Sequence, residues 1–89
     1  MNSLHYEVDL GPRDSLRVTL AGNAANVLVM DTANFQAFQA GGQHTYYGGY
    51  YTRSPAIIRP PSAGHWHVVV NLGGYVGSVN AAVQIVHSN

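Results

Sequence analysis

His65 and His67 stand two apart in the stretch Gly64-His-Trp-His-Val-Val-Val-Asn-Leu-Gly-Gly-Tyr75, and these two imidazoles are the chain's best-spaced candidates for chemistry. Side chains alternate along a β-strand, so residues i and i+2 share a face and two imidazoles so placed come near enough to ligate one ion. Trp66, Val68 and Val70 then turn to the opposite, apolar face. A third ligand has to come from elsewhere, with His44, His5, Asp31 and His87 as candidates. Imidazole donors select zinc, nickel or copper over calcium or magnesium. The same spacing equally suits two polar side chains on the solvated face of a half-buried strand.

Tyr46, Tyr47, Tyr50 and Tyr51, with Trp66 and Tyr75 as extensions, form a second constellation. Aromatic rings with polar tips suit a protein interface or carbohydrate stacking, because they bury much area for little lost rotamer freedom. If Gly48-Gly49 is the turn of a two-residue hairpin, Tyr47 opposes Tyr50 and Tyr46 opposes Tyr51. The two pairs then lie on opposite faces, one inside and one outside. Arg53 adjoins this cluster, and Arg53 and Arg59 flank the Ile57-Ile58 pair. A guanidinium can grip a carboxylate or phosphate with two prongs, and as a solvated charge at a strand end it also protects a sheet edge.

No catalytic residue is assigned. There is no Gly-x-Ser-x-Gly nucleophile elbow. Gly73-Gly-Tyr-Val-Gly77 lacks the lysine of a phosphate-binding loop and opens no helix. Carboxylates are few, and no two are placed as an acid–base pair. The chain reads as a binding module rather than an enzyme, and no cofactor is implied.

Composition bounds the possible partners. Only 9% of the 89 residues are charged, against roughly 25% in ordinary domains. The basic residues are Arg13, Arg17, Arg53 and Arg59, the acidic ones Glu7, Asp9, Asp14 and Asp31, and the formal net charge is zero. A chain without a basic patch cannot grip phosphates by counterion release, so nucleic acid is not an expected partner. Near-zero charge favours self-contact, which points to a homo-oligomer or a protein partner. No apolar run approaches the ~20 residues that span a bilayer, and Met1–Glu7 has neither the basic start nor the apolar core of a signal peptide. With no cysteine there is no disulfide and no thiolate metal site; small extracellular domains are usually stapled, so a cytoplasmic location is expected.

The elements that must position these residues are mainly strands. Leu4, Tyr6 and Val8 alternate with His5, Glu7 and Asp9, and Leu16, Val18 and Leu20 with Ser15, Arg17 and Thr19. About five residues around Gly11-Pro12 join these runs, which predicts an antiparallel hairpin with a longer loop. Asn26–Asp31 is apolar on both faces, as a central strand should be. A short helix is predicted near residues 32–40, capped by Asp31 or Thr32 and ended by Gly41, with Phe35 and Phe38 closing one end of the core. Strands resume at Tyr46, at Ser54–Arg59 before Pro60-Pro61, at His65–Leu72, and at Val79–Ile85 after a glycine-rich turn (Gly73, Gly74, Gly77). The predicted fold is all-β and mainly antiparallel: a small β-sandwich or jelly-roll-like barrel of 7–8 short strands, one domain over residues 1–89.

Tyr46-Tyr-Gly-Gly49, Thr52-Arg-Ser-Pro55 and Pro61-Ser-Ala-Gly-His-Trp-His-Val-Val-Val-Asn-Leu-Gly-Gly74, with Asn26–Asp31 and Asn34-Phe35 upstream, resemble the DUF1883 family across nearly the whole chain. The resemblance implies a small bacterial domain, found alone or joined to a TIR-type signalling domain, and hence a sensing or docking role by analogy. It carries no ligand residues over to this chain. One departure stands at Asn71, where the resemblance implies aspartate; its absence removes a possible carboxylate ligand beside the two histidines.

Overall fold

Alternating strands have one greasy side each, and two such sheets bury them face to face. The computed structural model, which describes residues 3–73 and 77–87, has this arrangement. Seven strands and one helix follow in the order β1 (Ser3–Leu10), β2 (Asp14–Gly22), β3 (Ala25–Asp31), α1 (Thr32–Gln39), β4 (Tyr47–Tyr51), β5 (Ala56–Ile58), β6 (Gly64–Asn71) and β7 (Val79–His87). They form a four-stranded sheet, β1-β6-β3-β4, and a three-stranded sheet, β5-β2-β7, with every pairing antiparallel. Val27, Val29, Trp66, Val68 and Val70 of the larger sheet pack on Leu16, Val18, Ala56 and Ile58 of the smaller. Each aliphatic side chain fully buried there contributes about 1.5–3 kcal/mol. Among the described residues no helix is long and apolar enough to cross a membrane.

The all-β sandwich and the single short helix are as expected, and β3 lies between β6 and β4 as a central strand. Three local expectations are corrected. β1 and β2 are not a hairpin: β1 pairs with β6 in one sheet, β2 with β5 and β7 in the other. Periodicity fixes which face a strand buries but not which sheet it joins. A tight turn makes the crossing, with Asp14 N–H donating to Gly11 C=O at 3.2 Å and Gly11 N–H donating to Asp14 Oδ2 at 2.8 Å.

Gly48-Gly49 is not a turn either. β4 runs through both glycines along β3, pairing Leu28 with Gly48 and Val27 with Gly49. Gly48 has φ +126°, and a Cβ there would stand 2.1 Å from the Val27 carbonyl oxygen. Glycine serves a close approach of two backbones here rather than a reversal.

Nor does α1 close an end of the core. It lies across the outer face of the four-stranded sheet, where Phe35 joins Leu28, Met30 and Val69 in a second apolar cluster, with Phe38 packed beside it. Its ends are as the sequence suggests: Asp31 caps the first turn by accepting from Asn34 N–H at 2.8 Å, and Gly41, at φ +78°, follows the last. Gly42 N–H then returns to Ala37 C=O at 2.8 Å.

Candidate metal centre

The outer face of the four-stranded sheet carries the polar half of two alternating strands. β1 sets Glu7 opposite His67 and Asp9 opposite His65 of β6. His5, Glu7, Asp9, His65 and His67 therefore share one face, and α1 roofs part of it. His67 lies beneath that roof at 5% exposure, whereas His65 stays open to solvent.

Three of these side chains converge. Glu7, His65 and His67 place donor atoms within 4.8 Å of one another. Glu7 Oε1 is 2.9 Å from His65 Nε2 and 3.9 Å from His67 Nδ1. Tetrahedral zinc, with bonds of about 2.0–2.1 Å, keeps its donors roughly 3.3 Å apart, so small side-chain adjustments bring this set to ligating distance.

The other nitrogen of each imidazole is also held. His65 Nδ1–H donates to Asp9 Oδ1 at 2.8 Å. Thr32 Oγ1, in the first turn of α1, lies 3.0 Å from His67 Nε2, within hydrogen-bond distance. Such partners orient each ring so that its other nitrogen faces Glu7. His5 brings Nε2 to 3.0 Å from His67 Nδ1, the next donor after the three. Phe35 stacks over both rings, with centroids 4.3 Å from His5 and 4.3 Å from His67.

Electrostatics differ between the two histidines. The hydrogen bond to Asp9, then that to Glu7, raises the His65 pKa above its ordinary value, a carboxylate oxygen standing at each ring nitrogen. Burial lowers the His67 pKa, partly offset by Glu7, and so favours the neutral ring. Glu7 is held below the usual carboxylate range, chiefly by the His65 hydrogen bond.

Of the expected third ligands, only His5 is brought to the pair. His44 accepts no place there; its Nδ1–H donates to Gly42 C=O at 2.9 Å, and its ring meets Phe38 edge-on at 5.1 Å. Asp31 serves the helix cap, and His87 bonds Asp14 at 2.7 Å. Glu7 was not among the candidates. Its signal was the matching alternation His5-x-Glu7-x-Asp9, which meets His65-x-His67 only once the two strands are paired. Asn71 points to another job: it accepts from Asn26 Nδ2–H at 3.2 Å and Gly73 N–H at 2.9 Å, four residues along β6 from His67. An aspartate there would not have served the pair.

The tyrosines divide three to one. Tyr46, Tyr47 and Tyr50 are exposed at 45%, 38% and 55%, and Tyr51 packs against the core between the sheets. Tyr47 meets Trp66 edge-on at 5.9 Å. The expected two-and-two division rested on the hairpin and falls with it. Tyr75 and Gly74 lie outside the described residues. Arg53 borders a small crevice with Tyr51 and Ser54. Among the described residues every ion pair involves a histidine, and no arginine meets a carboxylate.

The family model described as a domain of unknown function (DUF1883) matches residues 1–89. The chain belongs to the DUF1883 family. No curated protein and no solved structure matches it. Within this DUF1883 domain the β1–β6 face is where the ionisable side chains gather, and it is the face that α1 partly covers.

Proposed function

We propose that this DUF1883 domain is a non-enzymatic binding module whose ligand is a divalent transition metal held by Glu7, His65 and His67. The observation that carries the reading is the convergence of two imidazole nitrogens and a carboxylate oxygen within 4.8 Å, each imidazole braced at its far nitrogen. To bind a cation in that place His67 presents Nδ1 and His65 presents Nε2, each without its proton, as ligating histidines must. His5 is the adjacent fourth donor. Two nitrogens and an oxygen favour zinc, nickel or copper over calcium or magnesium. A site that needs no thiolate is consistent with a cytoplasmic domain acting as a sensor, and that location is part of the proposal.

Calorimetric titration with zinc tests it. One ion per chain is expected, with His65→Ala and Glu7→Gln each weakening binding at least about tenfold, the loss typical of a removed ligand or its support. No heat from the native protein, or equal heat from both variants, overturns the assignment.

A second reading concerns a protein partner at Tyr46, Tyr47 and Tyr50, supported by their joint exposure on the edge strand β4 and the segment before it. Exposed tyrosine with arginine nearby is the composition of interface anchors. Tyr47→Ala with Tyr50→Ala should then abolish capture of a partner by the tagged domain while the fold stays intact. Unchanged capture rejects this surface.

A further inference from the structure

A β-sheet edge is a row of unpaired N–H and C=O groups, and proteins blunt such edges with charge, proline, shortness or distortion. The sandwich has four. β1 carries Glu7 and Asp9 on its outward side. β4 contains Gly48 and Gly49 at φ +126° and +156°, outside regular strand geometry. β5 is three residues long, with Pro55 before it and Pro60-Pro61 just beyond. β7 has none of these devices. Its nine residues, Val79-Asn-Ala-Ala-Val-Gln-Ile-Val-His87, contain no Asp, Glu, Lys, Arg, Pro or Gly, and all nine hold register with β2.

The direction of the free groups follows from two hydrogen bonds. Leu20 N–H donates to Ser54 Oγ at 2.8 Å, away from β7. Its register partner Ala81 therefore turns its own N–H and C=O away from β2, because a non-hydrogen-bonded antiparallel pair points both members outward. Consistently, the Tyr6 hydroxyl reaches across from β1 and donates to the Ala81 carbonyl at 3.1 Å. By alternation the groups of Val79, Ala81, Val83, Ile85 and His87 line the open edge, and the Ala81 carbonyl keeps a second lone pair.

We propose that β7 pairs antiparallel with β7 of a second copy of this chain, centred on Val83, joining two three-stranded sheets into one of six. Full overlap of nine residues fixes that centre. On the two-fold axis the opposed pairs are then Val83 with itself, Ala82 with Gln84, Ala81 with Ile85, Asn80 with Val86 and Val79 with His87. A two-fold contact sets each side chain against its own symmetry set, so a strand bearing one sign of charge would repel itself. No pair here repels, and the chain as a whole has no net charge to oppose association. The inference is independent of the metal reading, since β7 lies in the opposite sheet.

Ala82 and Gln84 are exposed on the outer face, so substitutions there leave the core untouched. Sedimentation equilibrium should find the native protein a dimer. A82K/Q84K, which sets lysine against lysine at both crossings, should be a monomer with an unchanged circular dichroism spectrum. A82E/Q84K, which sets glutamate against lysine, should remain a dimer. A monomeric native protein, or A82K/Q84K still dimeric, overturns the proposal. Amide exchange on the native chain gives a second reading that needs no variant. Exchange at Ala81, Val83 and Ile85 should slow as protein concentration rises, and concentration-independent exchange overturns the pairing.

Discussion

The two sheets have the same alternating sequence logic and different outer faces. In the three-stranded sheet β2 reads buried at Leu16 and Val18 and exposed at Arg17 and Thr19, because water covers its outer side. In the four-stranded sheet β6 is buried at every position from Trp66 to Asn71, because the sandwich covers one side and α1 much of the other. A roof changes what a polar side chain does. Arg17 on the bare face meets solvent, whereas His67 on the roofed face has lost its water and must find Thr32 and His5 instead. Among the described residues the cluster of ligand-type side chains Glu7, His65 and His67 forms on the roofed face, where desolvation and fixed partners aim a ring.

The sharpest way to break that comparison is to place one charge on each outer face. Val69→Lys buries an ammonium under α1 among Leu28, Met30 and Phe35, and it should cost at least about 4 kcal/mol, the exceptional end of single substitutions. Thr19→Lys makes the same kind of change on the bare face and should stay within about 0.5 kcal/mol. Urea unfolding measures both. Similar costs would mean that the two faces are equally wet.

Phe35→Ala comes next, since it removes the ring that joins roof to sheet. Large aromatic truncations cost about 3–5 kcal/mol, and the lower end is expected here because the second cluster is small and can collapse. Unfolding by urea gives the cost. The accompanying signature is a change at His5 and His67, over which Phe35 stacks, seen as shifted imidazole resonances. Unmoved resonances would show that the helix does not shape the site.

How much of this was legible beforehand follows the same division. Alternation in Leu4–Val8, Leu16–Leu20 and Val79–Ile85 gave the sandwich, because each strand has one wet side and shows its period. The Asp31 cap and Gly41 ending were readable because helix termini depend on a few neighbouring residues. Sheet membership was not, as β1 and β2 show: a local period is silent about long-range pairing. For that reason the His65–His67 pair was visible and Glu7 was not, being fifty-eight residues away from His65 in sequence and adjacent only through the β1–β6 register. Gly48-Gly49 misled because a diglycine satisfies a hairpin turn and a close strand crossing equally well; only the Val27 carbonyl distinguishes them.

Asp31→Ala tests the roof's own footing. The carboxylate accepts both the backbone and the side-chain N–H of Asn34, at 2.8 and 2.9 Å, and no other acidic group stands in the first turn. Loss of an N-cap of this kind costs about 1 kcal/mol. Because the helix carries Thr32 and Phe35 to His67, the same variant should loosen the proposed metal site. A zinc affinity that falls along with the unfolding midpoint is the expected result, and a fall in stability alone would separate the roof from the site.

The smallest effect is expected on the bare side, at the turn between the sheets. Asp14 is held below the ordinary carboxylate range first by the Gly11 N–H and then by its bond to His87. A carboxyl whose folded-state pKa is depressed adds stability that is fully present above its unfolded value and is lost as pH falls through the folded value. Unfolding curves taken from neutral pH down through the carboxylate range should thus show a decline that Asp14→Asn makes shallower, while the four-stranded sheet's contribution is unchanged. The asparagine keeps an acceptor for Gly11, so the difference between the two curves isolates the charge from the turn's geometry. Curves of identical slope would assign the acid sensitivity to the roofed face instead, where Glu7 is the other carboxylate held low.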